Sequence, residues 1–175
     1  ALIAGYEEIG DYHQALNCFH RMQLDGIFPD VVTYVSILRT YGALGATEKG
    51  LEIHSLMVKR GCLEIDHIIG NALVDFYSKC GACMDAQKVF DNLSIRDVIS
   101  WTSLIMGYAD HGLGEQALIC IENMFEDGIY VDSLTLTCCL KVSGNIGTVD
   151  NIQEIHKRII MDGFEEEPFL GSTLV

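Results

Sequence analysis

Hydrophobic residues recur with helical spacing in several separate stretches of the sequence. Ala15, Phe19 and Met22 are four and three residues apart, so a helix would place them on one face. Similar spacing returns in residues 86–93 and 117–124. No stretch shows the alternation of polar and apolar residues, bounded by hairpin turns, that is typical of strands. The pattern therefore predicts an all-α protein.

Glycine residues separate the helical stretches at a nearly constant step. Five of them follow one another at intervals of 35, 36, 31 and 35 residues. An aromatic residue lies four positions before four of these glycines, and a small residue follows four of them five positions later. A repeat of this length is typical of stacked helix pairs. The glycines are Gly10, Gly45, Gly81, Gly112 and Gly147, and the small residues are Ala15, Gly50, Ala86 and Ala117.

Local sequence signals predict where the helices begin and end. A helix is expected over residues 34–44, with Thr33 capping its first free N–H groups. Gly45 can adopt the left-handed conformation that ends this helix, and Thr47, like Asp11 in the preceding repeat, can cap the next one. Each repeat is thus a helix, a tight turn and a second helix. One such pair cannot bury both of its faces, so the pairs are expected to stack into an α-solenoid.

Two stretches of the sequence resemble the pentatricopeptide repeat family. One begins at Val98 with Val-Ile-Ser-Trp-Thr-Ser-Leu-Ile-Met-Gly-Tyr, and the other begins at Gly70 with Gly-Asn-Ala-Leu-Val-Asp-Phe-Tyr-Ser-Lys-Cys-Gly. In a plant subclass of this family, called PLS, standard (P), long (L) and short (S) repeats alternate. The resemblance implies a right-handed α-solenoid superhelix of antiparallel helix pairs, and this chain is expected to be a segment of a longer array. It divides the chain into part of a P repeat at 1–30, an L repeat at 31–66, an S repeat at 67–97, a P repeat at 98–132, an L repeat at 133–167 and the start of an S repeat at 168–175.

The resemblance implies sequence-specific binding of single-stranded RNA, with about one nucleotide per repeat. In this family the second residue of each repeat packs against the plane of a base, the fifth hydrogen-bonds the base edge, and the last supports it. The second residues are Val32, Ile68, Ile99, Leu134 and Phe169. The fifth residues are Val35, Asn71, Thr102, Thr137 and Ser172. The last residues are Asp30, Asp66, Asp97, Asp132 and Glu167.

Two repeats are expected to carry most of the base specificity. By the family's pattern, Asn71 with Asp97 favours uridine opposite the S repeat at 67–97, and an asparagine amide offers both a donor and an acceptor. Thr102 with Asp132 resembles the pairing that favours guanine opposite the P repeat that follows. The L repeats depart from these pairings, since one has valine at the fifth position and the other combines threonine with glutamate. Little base discrimination is expected from them.

Composition and charge limit how RNA could be held. The 175 residues are 49% hydrophobic, as expected of a folded chain, and 25 acidic residues against 11 basic ones give a formal net charge of -14. This excess of acid excludes nucleic-acid binding by bulk electrostatics. The family often has lysine at the thirteenth position of a repeat, where it can reach the RNA backbone, and only Lys79 stands there in this chain. Weak, salt-sensitive RNA binding is therefore expected.

No motif points to catalysis or to a bound cofactor. Cys80 and Cys83 form a CxxC sequence without the second pair of ligands that a zinc site needs, so structural cysteines are expected. His54 and His156 are expected in helix packing or polar contacts. The motifs of a cytidine deaminase are absent, and any such domain of a longer parent protein would lie outside these residues. No metal, cofactor, small-molecule substrate or membrane span is predicted.

Two alternatives remain for the candidate residues and for the function. The apolar second residues could be core residues at helix starts, and the aspartates could serve only as helix caps. The array could also be a scaffold for proteins, for example one that docks multiple organellar RNA editing factors on its L repeats. The resemblance favours the selection of a site in plastid or mitochondrial transcripts for C-to-U editing or other RNA processing.

Overall fold

The protein is described by a computed structural model that covers residues 2–61 and 67–129, together with residues 135, 137 and 138. All regular structure in these residues is α-helical, which confirms the predicted fold class. Within these ranges, none of the helices has the length and hydrophobicity of a membrane span. The helices are α1 (Leu2–Glu8), α2 (Tyr12–Leu24), α3 (Val31–Ala43), α4 (Thr47–Lys59), α5 (His67–Lys79), α6 (Cys83–Asp91), α7 (Val98–Asp110) and α8 (Gly114–Glu126).

The helices pack as pairs within two compact bodies. The N-terminal body comprises residues 1–96 and contains the pairs α1–α2, α3–α4 and α5–α6. In this body α3 packs against both α1 and α5, so the first helices of the three pairs lie side by side. The C-terminal body begins at Asp97, and in it α7 packs against α8. How the chain divides into P, L and S repeats stays a prediction.

Glycine ends the first helix of each pair. Gly45 follows α3 with a φ of +63°, and the N–H of the next residue, Ala46, donates to the Tyr41 carbonyl oxygen at 2.9 Å. This turn provides a partner for a carbonyl that the helix itself leaves without one. The predicted left-handed conformation of Gly45 is thus confirmed. Positive φ values of 76°, 73° and 74° recur at the equivalent turn residues Gly10, Gly81 and Gly112.

The start of α3 lies three residues before the predicted one. Asp30 is the N-cap, and its Oδ1 accepts hydrogen bonds from the backbone N–H of Thr33 at 2.8 Å and from its hydroxyl at 2.6 Å. The predicted cap by Thr33 is therefore wrong, because the aspartate upstream binds the free N–H groups first. The predicted cap by Thr47 is also wrong, since Ala46 is the N-cap of α4 and makes no side-chain hydrogen bond. Asp11 caps α2 as predicted.

The small residues that recur after the central glycines are buried, and one of them lies in a close helix contact. Gly50 is buried on α4, where a Cβ atom would overlap the ring of Phe76 from α5. Phe76 is itself 0% exposed, so its ring has no open space beside it. The equivalent alanines in the other pairs, Ala15, Ala86 and Ala117, are also 0% exposed. The repeated small residue is therefore a packing requirement of the second helices.

A half-buried polar contact also joins α4 to α5. Nδ1 of His54 lies 2.6 Å from the hydroxyl oxygen of Tyr77, as expected for a histidine in a polar packing contact. Burial lowers the pKa of His54, although the Asp85 carboxylate acts in the opposite direction. Burial, together with the Asp85 charge, raises the pKa of Tyr77 to about 12. Burial therefore favours the neutral form of both side chains in this contact.

The Gly50 contact gives a first prediction. Gly50→Ala is expected to lower the free energy of unfolding by about 1–3 kcal/mol, because the added methyl group forces the Phe76 ring or α4 to shift. Urea denaturation followed by circular dichroism measures this loss. Gly5→Ala is the matched control, since Gly5 lies within α1 and a Cβ there meets nothing within 4 Å. The control is expected to be as stable as the parent chain, or more stable by up to about 1 kcal/mol. Equal losses in both variants would contradict the packing requirement.

Candidate nucleic-acid interface

The first helices of the pairs expose one narrow stripe of residues. Six consecutive residues of α3, from Thr33 to Leu38, are buried. The exposed residues Val32, Arg39 and Ala43 follow one another at steps of seven and four, which places them on one side of the helix. On α5 the equivalent positions are Ile68, Asp75 and Lys79, and on α7 they are Ile99, Met106 and Asp110. We call the second, ninth and thirteenth positions of the predicted repeats the exposed stripe of each first helix; Asp75 and Met106 in it are half-buried.

The second residues of three predicted repeats are exposed aliphatic side chains. Val32 is 54% exposed, Ile68 is 49% exposed and Ile99 is 61% exposed. The alternative that these residues belong to the core at helix starts is therefore wrong for all three. Leu134 and Phe169, the other predicted second residues, lie outside the described residues.

The fifth residues lie one helical turn after the exposed aliphatic ones and are buried. Val35, Asn71 and Thr102 are 9%, 7% and 5% exposed. Thr137 is half-buried, and Ser172 lies outside the described residues. A polar group at such a depth needs a hydrogen-bonding partner. The Thr102 hydroxyl has one in the hydroxyl of Thr135, with 2.6 Å between the two Oγ1 atoms.

The last residues that the structure describes are helix caps. Asp97 precedes α7 and forms a capping box with Ser100: its carboxylate accepts from the Ser100 N–H at 2.9 Å, and the Asp97 N–H donates to the Ser100 hydroxyl oxygen at 2.9 Å. Asp30 caps α3 in a similar way, and hydrogen bonds from the Thr33 hydroxyl and N–H lower the pKa of Asp30. The capping role expected for these two aspartates is confirmed. The predicted last residues Asp66, Asp132 and Glu167 lie outside the described residues.

A cavity opens beside the start of α3, next to one second residue and one last residue. Its volume is about 280 Å³, and Asp30, Val32 and Thr33 line one side of it. Residues of α1 and α2, including Leu2 and Met22, line the remainder. A carboxylate and an exposed aliphatic side chain thus border the same open space.

The exposed stripe contains two cations in the N-terminal body. Lys79, the predicted phosphate-binding residue, is half-exposed, and its Nζ lies 2.7 Å from Oδ2 of Asp75. Arg39 is exposed, and within the described ranges no ion pair or hydrogen bond of its side chain is found. Sequence reasoning missed Arg39, because only the thirteenth positions were considered. Its spacing of seven residues from Val32 is the signal that places it on the same side of α3.

The surroundings of Cys80 and Cys83 bear on whether the CxxC sequence could hold a metal ion. No three histidine, cysteine or acidic side chains in these ranges lie close enough together to hold a metal ion. Cys83 is buried, and burial raises the pKa of its thiol, whereas a reactive cysteine has a lowered pKa. The structural role expected for Cys83 agrees with its position in the core.

Paired helices, left-handed glycine turns and side-by-side first helices define an α-solenoid repeat protein. Family models identify the kind of repeat: the PPR repeat family matches residues 1–43, and the PPR repeat matches residues 32–62 and 99–129. The chain belongs to the pentatricopeptide repeat family.

Curated relatives from Arabidopsis thaliana agree with this assignment. One pentatricopeptide repeat-containing protein is 39% identical over 150 residues, which cover 86% of this chain and 30% of the relative. A second, whose name includes the word chloroplastic, is 34% identical over 175 residues, which cover 100% of this chain and 28% of the relative. The chain thus spans less than a third of the length of these two relatives.

Solved structures show the same fold. The pentatricopeptide repeat protein PPR10 from maize superposes with a TM-score of 0.78 at 22% identity, over 98% of this chain and 25% of PPR10. PPR10 in complex with an 18-nt psaJ RNA element gives the same TM-score at 24% identity, over 99% of this chain and 26% of that one. The nuclear proteinaceous RNase P 2 of A. thaliana has a TM-score of 0.65 at 16% identity, over 90% of this chain and 36% of that one.

The capping box gives a second prediction. Asp97→Ala is expected to lower the free energy of unfolding of the C-terminal body by about 1 kcal/mol, because the Ser100 N–H loses its acceptor. Asp97→Asn keeps a side-chain oxygen at the same place, and its free energy of unfolding is expected to fall by only about a few tenths of a kcal/mol. The fluorescence of Trp101, the single tryptophan of the chain and a buried residue of α7, reports this unfolding locally. Equal losses in the two variants would show that the carboxylate, and not the cap, stabilises α7.

Proposed function

We propose that this chain binds single-stranded RNA sequence-specifically, with about one nucleotide per repeat. One observation carries the proposal: each described second residue is an exposed aliphatic side chain at the start of a helix that is otherwise largely buried. Single exposed apolar residues are common on protein surfaces. Here they recur at the same position of successive repeats, 36 and 31 residues apart, which is the periodicity expected for one ligand unit per repeat.

A nucleobase has two kinds of surface that the second and fifth residues of a repeat would bind. Its faces are flat and weakly polar, so they would cover an aliphatic side chain such as Ile68. Its edges carry hydrogen-bond donors and acceptors, which Asn71 on the next turn of α5 would bind. A single-stranded RNA exposes both the faces and the edges of its bases, whereas a duplex hides them.

The finer parts of the proposal rest on the family resemblance. We assign the chain to the PLS subclass, with uridine bound opposite repeat 67–97 and guanine opposite repeat 98–132. The PPR10 complex with RNA, and relatives whose names include the word chloroplastic, support RNA binding in an organelle. The parent protein would then select a site in a plastid or mitochondrial transcript for C-to-U editing or other processing, and multiple organellar RNA editing factors could bind its L repeats.

Binding to short RNAs tests the proposed function. The chain is expected to prefer RNAs that contain 5'-UG-3' over variants changed at either base, by about fivefold for each lost hydrogen bond. Asn71→Thr is expected to shift the preference at the first of these bases from uridine toward guanine. Fluorescence anisotropy with labelled single-stranded RNAs measures both effects.

Asn17→Thr is the matched control, because Asn17 is an exposed residue of the second helix α2. It makes the same chemical change away from the predicted base-recognition positions and is expected to leave base preference unchanged. Equal affinity of the parent chain for all sequences would contradict sequence-specific binding. Binding of peptides in place of RNA would favour the protein scaffold.

The ion pair on α5 sets how strongly the RNA backbone can be held. Lys79 would have to leave Asp75 to bind a phosphate, and an exposed ion pair of this kind stabilises by about 0.2–1 kcal/mol. Arg39 has no such competitor in the described residues and would bind a phosphate directly. With two cations in the stripe, the logarithm of affinity is expected to fall with the logarithm of salt concentration at a slope of about -1.4.

Substitutions in the stripe test this electrostatic part. Asp75→Asn is expected to raise RNA affinity by up to about fivefold at low salt, because it frees Lys79 and removes a repelling charge. Arg39→Gln is expected to lower affinity and to make the salt dependence shallower. Lys59→Gln removes the same charge from α4, outside the stripe, and is expected to have little effect. If Arg39→Gln and Lys59→Gln weakened binding equally, the stripe would not be the path of the RNA backbone.

A further inference from the structure

The contact between Thr102 and Thr135 joins a fifth residue to the repeat that follows it. Thr102 lies on α7, and Thr135 is the third residue of predicted repeat 133–167. Their Oγ1 atoms are 2.6 Å apart, and the two residues are 5% and 0% exposed. Both belong to the C-terminal body. The hydroxyl proposed to bind a base is therefore held by a buried hydroxyl from the next repeat.

This contact determines what Thr102 can offer to a base. A threonine hydroxyl has one proton and two lone pairs, so it can make three hydrogen bonds. The contact with Thr135 uses one of these positions and fixes the directions of the other two. Without it, the Thr102 side chain could rotate among its rotamers, and the direction of its hydrogen bond to a base would no longer be defined.

In the N-terminal body, the fifth residue of one repeat and the third residue of the next are also similar in chemical character. Val35, the fifth residue of repeat 31–66, is buried on α3, and Ile69, the third residue of the next repeat, is buried on α5. The helices α3 and α5 pack against each other. An apolar fifth residue thus has an apolar third residue on the following helix, whereas the polar Thr102 has a polar one. In these two cases the third residue has the same chemical character as the fifth residue of the preceding repeat.

We propose that Thr135 is a positioning residue for base recognition: it orients the Thr102 hydroxyl toward the edge of the bound base and so contributes to specificity in repeat 98–132. The inference rests on the proposed RNA-binding function. It adds to the recognition site a residue from the following repeat that need not touch RNA itself. Base specificity at one position would then depend on the third residue of the next repeat as well as on the fifth residue of its own.

Thr135→Val and Thr135→Ser test this role. Binding is measured to four RNAs that differ only in the base opposite repeat 98–132, with uridine kept opposite repeat 67–97. Thr135→Val is nearly isosteric but lacks the hydroxyl, and it is expected to reduce the preference for guanine by about fivefold. Thr135→Ser keeps a hydroxyl and is expected to keep the preference. Neither variant is expected to change the preference for uridine at the neighbouring position.

A double-variant cycle distinguishes positioning from a general loss of stability. If Thr135 acts through Thr102, then Thr135→Val is expected to have no further effect on base preference in a Thr102→Val background. Trp101 fluorescence during denaturation reports the stability of each variant separately. If the parent chain prefers guanine and Thr135→Val keeps that preference, the inference is overturned while the proposed function stands. If the parent chain has no base preference at either position, the proposed function itself fails.

Discussion

The side-by-side packing of first helices is the constraint on which the rest of the described structure depends. In the N-terminal body α3 is covered by α1 on one side and α5 on the other, in addition to its own partner α4. Two polar residues of α3, Ser36 and Thr40, are therefore buried together with its apolar residues, whereas the apolar Val32 is exposed. The hydroxyls of these two residues donate to backbone carbonyls four residues earlier, at 2.9 and 2.8 Å. The helix therefore provides partners for these two buried hydroxyls itself, and Val32 remains available at the surface.

The aspartates before the first helices combine two requirements at one position. Asp30 and Asp97 hold the first N–H groups of α3 and α7, and they are also the positions at which the family resemblance places a base-supporting residue. A residue that serves both purposes must be small and must carry a side-chain oxygen close to the backbone. Aspartate and asparagine meet this condition, whereas longer or apolar residues would weaken the helix start. Structural and recognition requirements would thus limit the same position to the same few residues.

Much of the fold could be predicted from the sequence because its signals are local and repeated. The step between Gly10, Gly45 and Gly81 and the helical spacing of apolar residues gave the helix pairs, and both are properties of short stretches. The caps at Thr33 and Thr47 were predicted wrongly, since several polar residues near a helix start compete and only the backbone path decides among them. The depth of the fifth residues and the position of Thr135 depend on neighbouring helices, whereas the ion pair between Asp75 and Lys79 is local to α5. Contacts between residues that are distant in the sequence cannot be predicted from short stretches of it. The division into repeat types and the bases bound stay predictions.

The contact between Gly50 and Phe76 has a consequence for the exchange of repeats. A glycine at this place on α4 is matched by a large ring on α5, whereas on the preceding pair of helices the equivalent positions hold Ala15 and Thr40, both 0% exposed. On α4 and α5 the residue volumes are complementary, because the missing Cβ of Gly50 leaves room for the ring of Phe76. A repeat taken from one position of an array would therefore not fit freely at another. The order of the repeats would then be fixed by the steric fit between second helices and the first helices that follow them. This constraint would act whether or not a ligand is bound.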